Sequence, residues 1–133
     1  MSDLNRKYRP MTFDALVGQR IPARLLSGLV RAKAPRHVLL YGPYGAGKTS
    51  AARIYARALT CEEPSPTGQP CNSCESCTLA LEDRHSDILE VVGTVSGGKD
   101  EILRLKEIAI TTPLLSGRRV ILVDEAQGLS KQA

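Results

Sequence analysis

The run Gly42-Pro43-Tyr44-Gly45-Ala46-Gly47-Lys48-Thr49 has the spacing G-x-x-x-x-G-K-[ST] of a nucleoside-triphosphate phosphate loop. Its glycines let backbone curl closely around phosphate oxygens. N–H groups at a helix start attract the same anions. Lys48 would reach the β- and γ-phosphates and Thr49 would set its hydroxyl on Mg²⁺. Ser50, next in the first helical turn, joins the same nucleotide-binding set. The competing reading is a Gly-rich turn that binds nothing.

Asp124-Glu125 is the second chemical pair. It follows the apolar run Val120-Ile121-Leu122-Val123, which reads as a strand. Ligands of open α/β sheets gather at the carboxyl ends of strands. The pair therefore falls on the same sheet edge as the phosphate loop. Asp124 would hold the Mg²⁺ shell, and Glu125 would orient a water for attack on the γ-phosphate. Alone, the two acids would only cap the next helix.

Cys61, Cys71, Cys74 and Cys77, the only cysteines of the chain, form C-x9-C-x2-C-x2-C. Two x2 spacings bring thiolates around one tetrahedral ion, and the longer loop returns the fourth. Four sulfurs suit structural Zn²⁺ and leave no open position for catalysis. An iron–sulfur cluster or two disulfides are the other readings. With the shell filled by sulfur, His37 and His85 are expected to be structural.

The elements that must position these residues can be placed along the chain. Residues 1 to 18 read as an extended basic arm centred on Arg6-Lys7-Tyr8-Arg9-Pro10. A helix is expected from about Gln19 to Lys33, with Leu25, Leu26, Leu29 and Val30 as its buried stripe. Pro22 is tolerated in its first turn, and Ala34-Pro35 ends it. His37 to Tyr41 reads as a buried strand leading into the phosphate loop, and Ser50 to Leu59 as the helix leaving it. A short helix is expected from Cys74 to about Glu82 and a second strand over Ile88 to Val92. Thr94 to Lys99 reads as a polar loop. Asp100 is expected to cap a helix reaching Ala109. Thr111 to Arg118 is a connection, and the third strand is apolar enough to be central in a parallel sheet.

The chain of 133 residues suits one domain, and its core must be aliphatic, with one Phe and no Trp. A net charge of +4 is compatible with a polyanion and equally with an ordinary solvated surface. No stretch approaches the roughly 20 apolar residues that cross a bilayer. No apolar h-region follows the N-terminus, so a cytoplasmic setting with reduced cysteines is expected.

Lys7-Tyr8-Arg9-Pro10, Thr12-Phe13-Asp14 and Val17-Gly18-Gln19 resemble the opening of clamp-loader ATPases of the AAA+ class. The order of phosphate loop, four-cysteine insertion and Asp124-Glu125-Ala126-Gln127-Gly128-Leu129-Ser130 is similar to the gamma/tau type of bacterial DNA polymerase III subunit. The resemblance runs from about residue 4 to residue 131. It implies an α/β P-loop NTPase (AAA+) fold, a parallel sheet of order 5-1-4-3-2 with flanking helices, and a small zinc-binding module at residues 61–77. It implies an ATP-binding and ATP-hydrolysing subunit, with ATP, Mg²⁺ and Zn²⁺, in a hetero-oligomeric clamp loader. Such a machine loads a sliding clamp onto primer-template DNA. It also implies an adenine pocket built partly by Tyr8, Arg9, Pro10, Val17 and Gly18.

Two positions depart from the family pattern: Val92-Gly93-Thr94-Val95 replaces a polar Asp-containing stretch, and Gln127 stands where His is common. The sequence ends at Ala133, nine residues past Asp124. The family's sensor strand, arginine finger, lid and collar are not among these residues. A fragment of a larger subunit, or a sheet completed by another chain, is therefore expected, with weak hydrolysis by the fragment alone. The alternative function is a nucleotide-binding regulatory or zinc-stabilised interaction subunit without significant hydrolysis.

Overall fold

The computed structural model describes residues 9–16, 18, 20–33, 36–43, 47–93 and 98–128. Among them run helices α1 Arg20–Arg31, α2 Lys48–Thr60, α3 Glu75–Leu81 and α4 Lys99–Ala109, and strands β1 Ile88–Val92 and β2 Val120–Asp124. Short 3-10 turns occupy Phe13–Ala15 and Ala126–Gly128. None of these helices is long and apolar enough to cross a membrane.

β1 and β2 are runs of branched aliphatic residues, β1 with Glu90 at its centre and β2 closed by Asp124, and α4 carries the chain from one to the other. They pair in parallel, Ile88 opposite Val120 through Val92 opposite Asp124. This is the pairing that the order 5-1-4-3-2 requires of its second and third strands. The register brings the C-terminal ends of both strands to one edge, where β2 delivers Asp124.

The apolar core lies between the helices and the arm. Phe13 and Leu16 from the arm, Ala23, Leu26 and Val30 from α1, and Ala51, Ile54, Tyr55 and Ala58 from α2 form one buried cluster. Small alanines on α2 let α1 and the Phe13–Ala15 turn approach it closely. Burying Phe13, only 1% exposed, stabilises the fold by roughly 1.5–3 kcal/mol. The expected extended arm thus contains a helical turn that is part of the core.

Four further expectations are corrected. Leu25 is 65% exposed and Ala23 takes its place in the buried stripe of α1, while Leu26 and Val30 are buried and Leu29 packs against the core as expected. The helix turns its smallest apolar residue towards α2, which pattern alone assigns to the wrong side. His37 to Tyr41 is not a buried strand: Leu39 and Tyr41 are 80% and 88% exposed. A strand needs a paired neighbour, and among the described residues only β1 and β2 pair, with each other. Leu40 alone turns inward against the core cluster. β2 is half-buried rather than enclosed on both faces, with Val123 39% exposed. Asp100 lies in the first turn of α4, whose N-cap is Gly98; there the carboxylate faces the positive helix end without capping it.

Candidate functional site

Gly47 takes φ 86° as the N-cap of α2, so the helix begins at Lys48. The Lys48 ammonium Nζ donates to the Gly42 carbonyl at 2.6 Å, tying the end of the phosphate loop to its start. Thr49 Oγ1 donates to Asp124 Oδ2 at 3.1 Å. The other Asp124 oxygen accepts the Glu125 N–H at 2.9 Å. The two acidic and loop motifs are therefore in contact at the sheet edge.

Glu125 stands in the left-handed region at φ 54°, and its carboxylate accepts from Gln127 Nε2. Gln127, a departure from the family pattern, thus holds the side chain expected to orient water. Gly93, another departure, has a positional reason. A Cβ there would lie 2.3 Å from the Glu125 carbonyl oxygen. Only glycine lets the end of β1 pass this close to the Glu125 backbone.

The remaining nucleotide-site expectations are placed as follows. Gly42 and Pro43 are exposed, and Ser50 is half-buried. Arg9 and Pro10 line, together with Ser50 and Arg53, a cavity of about 440 Å³. Gly18 is exposed at φ 73°. Tyr8, Val17, Tyr44, Gly45 and Ala46 lie outside the described residues.

Thr49, Arg53 and Arg57 recur every four residues and so share one face of α2. Arg53 makes a two-pronged contact with Glu90 of β1, Nη2 to Oε1 at 2.7 Å and Nε to both oxygens at 3.2 Å. Arg57, 4% exposed, donates Nε to Asn72 Oδ1 at 2.7 Å and Nη2 to the Met11 carbonyl at 2.8 Å. One polar helix face therefore runs from Asp124, past the sheet, to the cysteine loop.

The four cysteine sulfurs lie within 4.8 Å of one another. A tetrahedral ion with Zn–S bonds of about 2.3 Å needs sulfurs roughly 3.8 Å apart, so the set fits one such ion after slight closure. All four thiols are free, with Cys71 and Cys77 sulfurs 4.0 Å apart, which leaves the two-disulfide reading without an S–S bond. Backbone N–H groups point at the sulfurs: Cys71 at Cys61, Cys74 at Cys71, and Cys77 at Cys74, all at 3.3–3.4 Å. The Ser73 amide, then that of Cys74, holds the Cys71 thiol down to about 6 against burial, making it a thiolate at neutral pH. Burial pushes the Cys61 and Cys77 thiols up.

A buried polar network escaped the sequence reading. Asp87, 0% exposed, accepts the amides of Leu114, Leu115 and Ser116 at 2.7–2.8 Å and the Ser116 hydroxyl at 3.1 Å. It ties the entry of β1 to the loop that enters β2. Ser76 Oγ donates to the Thr60 carbonyl at 2.6 Å, so it accepts from His85 Nε2–H at 2.9 Å. His85 Nδ1 is left to accept the Asp87 amide at 3.0 Å. These bonds assign His85 as the neutral Nε2–H tautomer, and burial holds its basicity below the ordinary value. The structural expectation for His85 agrees with this placement. Contacts such as Asp87 to Ser116 span 29 residues and leave no local pattern to find.

The family described as DNA polymerase III, delta subunit, matches residues 18–133. DNA polymerase III subunit gamma/tau of Mycobacterium tuberculosis is 44% identical over 126 residues, covering 92% of this chain and 22% of the relative. DNA polymerase III subunit tau of Bacillus subtilis is 36% identical over 128 residues, 96% of this chain and 23% of the relative. Protein STICHEL-like 2 of Arabidopsis thaliana is 33% identical over 130 residues, 97% of this chain and 15% of the relative. The chain thus spans about a fifth of the length of the bacterial relatives it matches.

Proposed function

From a chain that belongs to the DNA polymerase III delta-subunit family, the AAA+ clamp-loader N-terminal domain, we infer an ATP-binding and ATP-hydrolysing clamp-loader subunit. In this reading residues 1–133 form the N-terminal part of an AAA+ ATPase domain, with residues 61–77 as an inserted zinc module. The parent works in the cytoplasm with other clamp-loader subunits, a sliding clamp and primer-template DNA. The observation that carries the reading is the 3.1 Å bond between Thr49 and Asp124, which joins the phosphate loop to the acidic pair.

The backbone of Gly42 to Gly47 and the N-terminal amides of α2 receive the phosphates. Lys48 leaves the Gly42 carbonyl and turns its ammonium to the β- and γ-phosphates. Tyr8, Arg9, Pro10, Val17 and Gly18 serve the adenine side, and Ser50 the phosphate side. Glu125, steadied by Gln127, orients and polarises the attacking water. Thr49 and Asp124 would hold Mg²⁺, which supplies charge neutralisation between the phosphates. Cys61, Cys71, Cys74 and Cys77 would hold Zn²⁺, which supplies a structural cross-link and no open coordination position.

The test is ATP binding and turnover by the full-length protein assembled with its partner subunits, clamp and primed DNA. Lys48→Ala is expected to remove nucleotide binding. Glu125→Gln is expected to bind ATP normally and hydrolyse it slower by on the order of 10²-fold or more. Normal hydrolysis by Glu125→Gln would end the water-orienting role. Binding without turnover in the unaltered assembly would favour the non-hydrolytic alternative.

A further inference from the structure

The nine residues between Cys61 and Cys71, with Asn72 just beyond, touch three other parts of the chain. Gln69 Oε1 accepts the Phe13 amide at 2.7 Å. That amide opens the Phe13–Ala15 turn, where no helical carbonyl can reach it. Asn72 accepts Arg57 Nε at 2.7 Å and donates Nδ2 to the Met11 carbonyl at 3.0 Å. Arg57 Nη2 donates to the same carbonyl at 2.8 Å. Gly68 presses on α1: a Cβ there would lie 2.1 Å from the Ser27 carbonyl oxygen, so any side chain would force the loop off the helix.

The loop is also closed on itself. The Ser65 amide donates to the Gln69 carbonyl at 2.8 Å, and Ser65 Oγ accepts the Gln69 amide at 3.0 Å. Gln69 and Asn72 are thereby presented to the arm from a loop whose two ends meet at the cysteine cluster. The arm in turn leads through Pro10 and Arg9 to the cavity shared with Ser50 and Arg53 on α2.

We propose that the four-cysteine loop is a latch that holds the N-terminal arm on the phosphate-loop helix, with Gln69 and Asn72 as positioning residues, and that metal at the cysteines thereby raises nucleotide affinity. Its last step rests on the nucleotide site proposed above; the latch itself does not. A bound ion fixes both ends of the loop before the arm docks, so the arm meets preordered acceptors. Without the ion, the Cys71 amide bonded to the Cys61 sulfur is the direct tie between the two ends. Gln69 and Asn72 then lose their fixed places, and the Phe13 amide and the buried Arg57 guanidinium lose their acceptors.

The experiment is amide hydrogen exchange in the peptide spanning residues 11–16 of the full-length protein, read beside Mg²⁺–ATP affinity and zinc content. Zinc removal by a chelator is expected to speed exchange at least tenfold, and zinc reloading to reverse it. Gln69→Ala is expected to speed exchange equally while keeping one zinc per chain, and to weaken Mg²⁺–ATP about tenfold. Gln69→Glu keeps the acceptor oxygen and is expected to restore both. Lys48→Ala is expected to lose nucleotide yet keep the arm protected, which separates the latch from the nucleotide site. Unchanged exchange after zinc removal or in Gln69→Ala would overturn the latch. An exposed arm with undiminished ATP affinity in Gln69→Ala would overturn the coupling.

Discussion

Thr49 donates its hydroxyl to the Asp124 carboxylate at 3.1 Å although 75 residues separate them in sequence. One partner sits in the first turn of α2 and the other at the last residue of β2. The bond exists because parallel strands end at one edge and a helix N-terminus is brought to that edge. Two oxygens so placed can share a hard divalent cation.

Thr49→Val keeps the side-chain volume and removes the hydroxyl, leaving Asp124 Oδ2 without this donor. The fold is expected to lose about 1 kcal/mol, the ordinary worth of a hydrogen bond. Mg²⁺–ATP affinity is expected to fall about tenfold or more, while ATP binding in chelator changes little. Calorimetric titration with and without Mg²⁺ checks this. Equal losses under both conditions would mean that Thr49 acts without the metal.

Gly93→Ala probes the close approach behind Glu125. A methyl group cannot fit 2.3 Å from a carbonyl oxygen, so β1 and the Glu125 backbone must move apart. A stability loss of roughly 1–3 kcal/mol is expected from such overpacking. Hydrolysis should slow more than nucleotide binding weakens, because Glu125 moves while Lys48 does not. Thermal denaturation and turnover of the full-length variant measure both. A variant as stable and active as the parent would show that the two segments separate freely.

The legible parts of the fold were those with a local signature. β1 and β2 are apolar runs, α2 follows a glycine-rich loop, and four cysteines in one segment are brought together in space. Burial was less legible because it depends on neighbours. Val38 to Tyr41 is as apolar as β2, but apolarity does not specify which strand lies beside it. Leu25 and Ala23 differ in hydrophobicity in the direction opposite to their burial, since close helix packing favours the small residue. The polar ties were not legible at all. Gln69 to Phe13 spans 56 residues, and an isolated glutamine in a Pro-rich loop looks like solvent-facing turn chemistry. At the candidate site, the motifs pointed to Lys48, Thr49 and Asp124, but not to the contacts that Gln127 and Gly93 make with Glu125.

Asp87 should make the fold acid-sensitive. Burial alone would raise its pKa, but the amides of Ser116, Leu114 and Leu115 and the Ser116 hydroxyl outweigh it and hold the group at about 2. The unfolded chain titrates near 3.9. The folded value is the lower one, so its stabilisation is present above about pH 4 and fades as pH falls towards 2. The amount is about 2 kcal/mol. Asp87→Asn removes this charge, so the stability gap between parent and variant should shrink by that amount between pH 5 and pH 2. Denaturant unfolding across that range decides it. A constant gap would mean that Asp87 keeps an ordinary pKa.

Arg57 carries the last prediction. Its guanidinium is buried, yet among the described residues no carboxylate forms an ion pair with it. Burial lowers its basicity and the nearby Arg9 charge adds to that, while negative charge on Cys77 and Cys61, which a bound ion would enforce, opposes it. Four thiolates around a divalent ion carry a net charge of −2, so a buried cation beside them is compensated rather than stranded. Arg57→Met is therefore expected to weaken zinc binding about tenfold, roughly 1.4 kcal/mol. Arg57→Lys restores the charge but cannot repeat the Nε bond to Asn72 and the Nη2 bond to Met11 together. It should recover zinc affinity while leaving the arm peptide fast in hydrogen exchange. Chelator competition and exchange on the same two variants separate charge from geometry. Zinc affinity undiminished in Arg57→Met would show that the guanidinium serves the arm alone.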